Sequence, residues 1–283
     1  MGKRVADHKP ERPFSPPLFV FTVAASLSVF LVALALISPR TWDAQFSAGL
    51  LATFGTFCVM HLMNAFTEYF FHRYVLHATL IPALRYFYRQ HTIHHSLTHV
   101  VQRRIRGADA QEKFVNENIY PIEENAQREA SFFPWYTFAA FATLWTPFLI
   151  SAQWLLPAAP IFLAGFASIA WSLFLYETLH AIEHLPLEKW LPLLEHPRWG
   201  RWWKMCYAFH LRHHADIRCN ESISGFFGFP IADVVFGTWV KPASLYKTGR
   251  TAPETEFRSP TPYGFIRWLD SIAERRKRKL RTS

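Results

Sequence analysis

Ten of the fourteen histidines in this chain fall into four short blocks. His72 and His77 lie in HRYVLH, His91, His94 and His95 in HTIHH, His180 and His184 in HAIEH, and His210, His213 and His214 in HLRHH. The order is pair, triplet, pair, triplet. Neutral imidazole is a ligand for zinc, copper, iron and nickel, so the chemistry suggested first is metal binding. On a helix, residues i, i+3 and i+4 share a face, and each triplet therefore offers three imidazoles within an arc of about 100°. His180 and His184 stack one turn apart in the same way. His72 and His77 are five apart and would diverge on a regular helix. Either the chain distorts there or the two serve different partners. One ion takes about four to six ligands, so ten histidines imply two ions.

Two narrower readings of the blocks fail. HAIEH alone matches the H-x-x-E-H of inverted zinc proteases, with Glu183 as general base, but that leaves His72, His77 and both triplets without a role. A carboxylate-rich di-iron bundle needs two E-x-x-H motifs and two further Glu, whereas one clear E-x-x-H is present, Glu177 to His180. Outside the blocks, His8, His99 and His196 read as ordinary residues. His61, eleven residues before His72 and so on the same helical face, is the one tempting addition.

The elements that must position these rings follow from composition. Of 283 residues, 51% are hydrophobic, with 27 Phe and 11 Trp, yet the formal charge is +9. A soluble surface intersperses both signs of charge, so this balance fits a membrane protein better than a basic nucleic-acid binder, whose charge forms patches on a soluble fold. The three cysteines, Cys58, Cys206 and Cys219, form no C-x-x-C and read as ordinary thiols.

Four apolar stretches, 18–37, 46–66, 132–156 and 161–182, are long enough to cross a bilayer, for which about 20 helical residues suffice. Pro134 and Pro147 in the third are tolerable because neighbouring helices can satisfy the freed backbone. The expected fold is all-α: a multi-pass membrane protein of four transmembrane helices in two hairpins, under a histidine-rich helical cap. The short connectors 38–45 and 157–160 contain one basic residue, Arg40, of the 30 in the chain. The positive-inside rule then puts both termini and the cap in the cytoplasm, at a bacterial inner membrane or the endoplasmic reticulum. After two or four crossings the chain returns to the same face, so all four blocks can meet there. Ala33-Leu34-Ala35 resembles a cleavage site, but the apolar run continues past it and reads as an uncleaved span. The organisation expected is a cytoplasmic segment 1–17, a membrane domain 18–239 that carries the histidine blocks, and a basic tail 240–283. Residues 186–209, with four Trp among basic residues, read as a headgroup-level segment. Such a segment could cover the metal site. In the tail, 263–280 reads as an interfacial helix attracted to anionic lipid.

EYFFHRYVLH, HTIHH, HAIEH and HLRHH, in this order around two hairpins and followed by GFPIADVVFGTW, resemble the fatty acid hydroxylase / sterol desaturase superfamily of membrane di-iron enzymes. The resemblance covers roughly residues 54–239, and the insert 185–209 departs from it. It implies that the ten histidines His72, His77, His91, His94, His95, His180, His184, His210, His213 and His214 bind two iron ions and form the catalytic centre. That centre would use O2 to oxidise an unactivated C–H bond of a lipid: a fatty acyl chain, sphingolipid, sterol or carotenoid. Hydroxylation is the leading expectation and desaturation on the same centre the alternative. From a different class, a non-catalytic metal-binding or transport protein is the other reading, although spans one and three carry no ionisable residue for a transport path. Zinc can replace iron on overexpression, since imidazole accepts both. Histidine-only ligation leaves carboxylates to orient the rings, and Glu68, Glu177, Glu183 and Asp216 adjoin the blocks. The His-Pro-Gly-Gly loop of a fused cytochrome b5 is replaced by His196-Pro197-Arg198, so electrons are expected from a separate ferredoxin or cytochrome b5-type protein.

Overall fold

A computed structural model describes residues 15–108, 110–241 and 243–282. Most of the expected segment 1–17, His8 included, lies outside the described residues. The chain enters α1 (Pro16–Ile37) on a proline pair, tolerated because a first-turn N–H has no helical partner to lose. Pro39 opens the short α2 (Pro39–Ser47), and Gly49, at φ +79°, turns the backbone into α3 (Leu50–Phe71). A side chain would be strained at that φ. The second apolar stretch therefore starts at Leu50 rather than 46, because Phe46 belongs to α2. It also ends later, running through a π-helical turn, His72–Leu76.

Next come α4 (Arg85–Leu97), with the first triplet, and an antiparallel ribbon of β1 (His99–Arg106) and β2 (Glu112–Ile119). The ribbon corrects the all-α expectation. Two strands alone are marginal in water, and this pair gains cross-strand partners such as Arg103 with Glu117 at 2.9 Å. A third segment flanks it, with Asn116 N–H donating to Arg250 O and Ala252 N–H to Phe114 O, both at 3.0 Å. A capping box between Glu124 and Gln127 starts α5 (Asn125–Ser131). The third apolar helix, α6 (Thr137–Leu155), begins after 132–136 rather than at 132, with Pro134 O accepting the Thr137 N–H and hydroxyl. Then follow α7 (Ile161–Glu183), α8 (Leu187–Leu194), α9 (Gly200–Ala215), α10 (Ile231–Phe236) and α11 (Gly264–Thr282).

The chain is mostly helical, and α1, α3 with its π-turn, α6 and α7 are long and apolar enough to cross a membrane. Among these α7 is central: 56% of its apolar window is buried, against 6% for α1. It packs between α3 and α6, and Gly165 permits a close approach to α6, since a Cβ there would sit 2.6 Å from a Leu149 methyl. Small residues at such crossings let helices pack closely where lipid gives no hydrophobic drive. At the hairpin tips a buried polar clip joins both connectors. Gln45 Nε2 donates to Gln153 Oε1 at 2.9 Å, and Gln45 Oε1 accepts Phe162 N–H at 2.9 Å. Gln153 Nε2 in turn donates to Ala159 O at 3.0 Å. The two tips thus meet at one end of the bundle, and the histidine blocks gather at the other.

Candidate metal centre

All ten block histidines come together, in two groups. His72, His77, His91, His95 and His213 form the first, and His94, His184, His210 and His214 the second; within each group the candidate ligand nitrogens lie within 4.8 Å of one another. His180 joins the second group, its Nε2 3.3 Å from that of His94. Each group could hold a metal ion.

The five-residue spacing of His72 and His77 is resolved by distortion. A π-turn closes i to i+5, and His77 N–H donates to His72 O at 3.0 Å. The rings stack with centroids 4.9 Å apart. His180 and His184 need no such device, since i+4 already repeats the face of α7. Each triplet is divided between the groups. His91 and His95 on α4 enter the first group while His94 crosses to the second; His210 and His214 on α9 enter the second while His213 crosses to the first.

The proton positions decide what the convergence means. His214 Nδ1–H donates to Thr98 O, His184 Nδ1–H to Tyr120 O at 2.8 Å, His213 Nδ1–H to Cys219 O at 2.8 Å, and His72 Nδ1–H to Glu221 O at 2.5 Å. His94 Nδ1 lies 2.7 Å from Ser131 Oγ, whose own proton goes to Gln127 O, so the ring is the donor there too. A neutral imidazole that donates from Nδ1 has only a lone pair at Nε2. Yet the Nε2 atoms of His94 and His214 face each other at 3.1 Å. No proton lies between them, and two lone pairs at that distance call for a cation. The other facing Nε2 pairs fall between 2.9 Å (His72–His91, His77–His213) and 3.3 Å (His94–His180). Ligands about 2.0–2.1 Å from a common ion, at angles between octahedral and tetrahedral, are separated by roughly 2.9–3.4 Å. The donor set fits.

Protonation does not compete for these lone pairs. Burial, followed by the charge of neighbouring imidazoles, holds His91, His94, His95, His210, His213 and His214 well below their ordinary range. Burial takes His184 down to about 3.

Backbone carbonyls, more than carboxylates, orient the rings, and three of the four expected carboxylates serve elsewhere. Glu68 accepts the Ser224 hydroxyl and the Ser224 and Gly225 N–H groups. Glu177 accepts Phe133 N–H at 2.9 Å, and Asp216 accepts the Ser259 hydroxyl at 2.5 Å. Each sits beside a block in sequence but turns from the rings to tie down a loop. Glu183 does face a ring, 4.0 Å from His210 Nδ1. The carboxylate that sequence reasoning missed is Glu221. It is fully buried, with Oε1 held by Arg73 at 2.8 Å and Oε2 3.8 Å from His72 Nδ1 and 4.0 Å from His213 Nδ1. Its position seven residues after His214, in a stretch of small and apolar residues, was the available signal.

His61 belongs to neither group: its Nδ1 pairs with Ser172 Oγ and its Nε2 accepts Phe227 N–H. His196 caps the start of α9 by accepting Trp199 N–H. Two cavities border the first group. The larger, about 600 Å³, reaches His91, and the smaller, about 60 Å³, reaches His72. Among the described residues no histidine of the second group lines either cavity, and neither does any residue of 185–209. In it Trp190 is buried on α9 while Trp199 and Trp202 are exposed.

Comparison of the chain with protein-family models, curated proteins and solved structures finds no match.

Proposed function

We propose that this chain is a membrane oxidoreductase in which the ten histidines hold two iron ions and an unactivated C–H bond of a lipid is hydroxylated. The observation that carries the metal is the meeting of Nε2 atoms at 2.9–3.3 Å, with the Nδ1 protons of His72, His94, His184, His213 and His214 committed elsewhere. What favours lipid chemistry is the position of the centre at the ends of apolar helices, beside a small cavity between α3, α6 and α7 and a larger one lined by the start of α1, α4 and α5. The motif order resembling the fatty acid hydroxylase / sterol desaturase superfamily agrees with this reading. Two iron ions would supply O2 activation: a C–H bond, O2, two electrons and two protons give C–OH and water. The chain's own residues supply the rest. Thr98, Tyr120, Cys219 and Glu221 carbonyls fix the rings, and Leu76, Phe133 and Tyr176 line both cavities beside the first group. The electrons come from a separate small redox protein at the aqueous face.

The positive-inside charge pattern supports a cytoplasmic centre with both hairpin tips outside. Reporters at residues 42 and 158 are then external, and those at 110 and 282 internal. The functional reading is tested by metal analysis and lipid mass spectrometry together. Protein from iron-replete cells carries close to two iron ions, and lipid extracts gain a species heavier by one oxygen. One ion per chain, or lipid profiles identical with and without the gene, overturns it.

A further inference from the structure

The two cavities beside the first histidine group are separate spaces that share three walls: Leu76, Phe133 and Tyr176. Their sizes and linings differ. The larger carries Gln90, Arg128 and Glu129 on α4 and α5 and ends at His91. The smaller lies between Trp145, Ile169 and Leu173, and reaches from His72 down toward Ile169. Ile169 is eleven residues before His180 on α7, which puts the foot of that space about 16 Å along the helix from the metal ligands.

We propose that Leu76, Phe133 and Tyr176 form the stop that decides which carbon of a chain-like lipid faces the first group. The inference rests on the reading of this centre as a lipid oxidase. The larger cavity has the volume of an ordinary ligand site, roughly 300–1,000 Å³, and its charged and amide groups suit a polar end. An apolar chain lying in it ends at the partition, with His91 lining the near side and His72 the far side. The smaller space is then an overrun blocked in the native protein. Each member of the partition is held in place. Leu76 ends the π-turn and is buried, and Tyr176 stacks on His180 with centroids 5.6 Å apart. Phe133 stands in the non-helical stretch before α6, where Glu177 accepts its N–H and Tyr176 lies 5.0 Å from its ring. Through that hydrogen bond Glu177 anchors the stop. Trimming the stop joins the two spaces, lets the chain end slide past the histidines, and presents a carbon nearer the polar end.

The test uses the purified full chain loaded with zinc, so that nothing turns over, and a long-chain fatty acid carrying a diazirine at its methyl end. Illumination should label Leu76, Phe133 or Tyr176 in the native protein. In Phe133→Ala the label should move to Trp145, Ile169 or Leu173, with zinc content unchanged. A label outside both cavities, or the same label in native and variant protein, overturns the proposal. If Phe133→Ala loses its metal, Phe133→Leu and Leu76→Ala give the same comparison. Labelling does not depend on catalysis, so an iron-loaded protein that yields no oxygenated lipid removes the oxidase reading and leaves the stop to be judged by its label.

Discussion

The two histidine groups are built from the same parts in mirrored proportion, and they differ at one residue of spacing. Each takes a pair from the end of a long apolar helix, two histidines from one triplet and a single histidine from the other. In the second group the pair is His180 and His184, on a regular helix. In the first it is His72 and His77, and the extra residue between them is absorbed by a π-turn. The surroundings diverge as well. The second group is sealed by the base of the ribbon, where Thr98 and Tyr120 give their carbonyls to His214 and His184. The first is backed by Arg73 and Glu221 and bordered by both cavities. A repeated ligand plan thus yields one enclosed group and one that faces space a substrate could use. The π-turn belongs to the group that faces the cavities, and its last residue, Leu76, is part of their shared wall.

If the groups depend on each other through the crossing histidines, His94→Ala and His213→Ala should each cost more than one site. Oxygenated lipid should fall at least about 100-fold in both, since even partners behind a ligand are worth 10–100-fold, and bound metal should drop in step. Full metal content in either variant would separate the groups. Deleting Val75 attacks the one-residue difference directly. It returns His77 to i+4 of His72, the spacing at which His180 and His184 share a face of a regular helix. Metal analysis should then show an unchanged count, whereas a loss of at least one ion per chain would mean that the π-turn itself is required.

Acid should act on both groups alike in the metal-free protein. Unfolded histidines titrate near 6.5, while burial holds the six of α4 and α9 well below that and His184 at about 3. As pH falls below about 6.5 the unfolded chain takes up protons first, so stability present above that value is lost progressively toward the folded values. Each such histidine contributes up to about 1.4 kcal/mol per pH unit. Thermal unfolding of chelator-treated protein in detergent should therefore show a clear fall between about pH 7.5 and about pH 5.5. A flat profile would mean that the rings are not held neutral. The smallest effect should distinguish the carboxylates. Glu221→Gln, beside two ligands, should weaken metal binding by about tenfold. Glu183→Gln, beside one, should weaken it less, as read by chelator competition; equal losses would erase that asymmetry.

Much of this arrangement was legible in the residue order. The four apolar runs and the four histidine blocks are uninterrupted local patterns, and parity alone brings the blocks to one end. The ends of the runs were not legible. His72 and Arg73 are polar by type, yet both are buried in the turn that prolongs α3. The ribbon escaped notice because Arg103, Arg104, Glu112 and Glu117 make it read as a charged connector, and their pairing becomes visible only across strands. Nor could spacing show how the triplets divide, because i+3 and i+4 share one arc on the helix and only the facing helix separates them. The carbonyls that hold the rings have no side-chain signature at all.

The clip of Gln45 and Gln153 ties the hairpins at the far end, but at the histidine end α4 and α9 carry that duty, each sending rings to both groups. An ion in one group fixes both helices that the other group requires, and such coupling is reciprocal. Half-filled molecules should then be scarce. During metal shortage a cell would hold two populations, complete and empty, with few intermediates between them. The empty ones, with opposed lone pairs and loosened helices, would be the ones its proteases remove. Scarcity would be read out in the amount of the protein rather than in the quality of each copy.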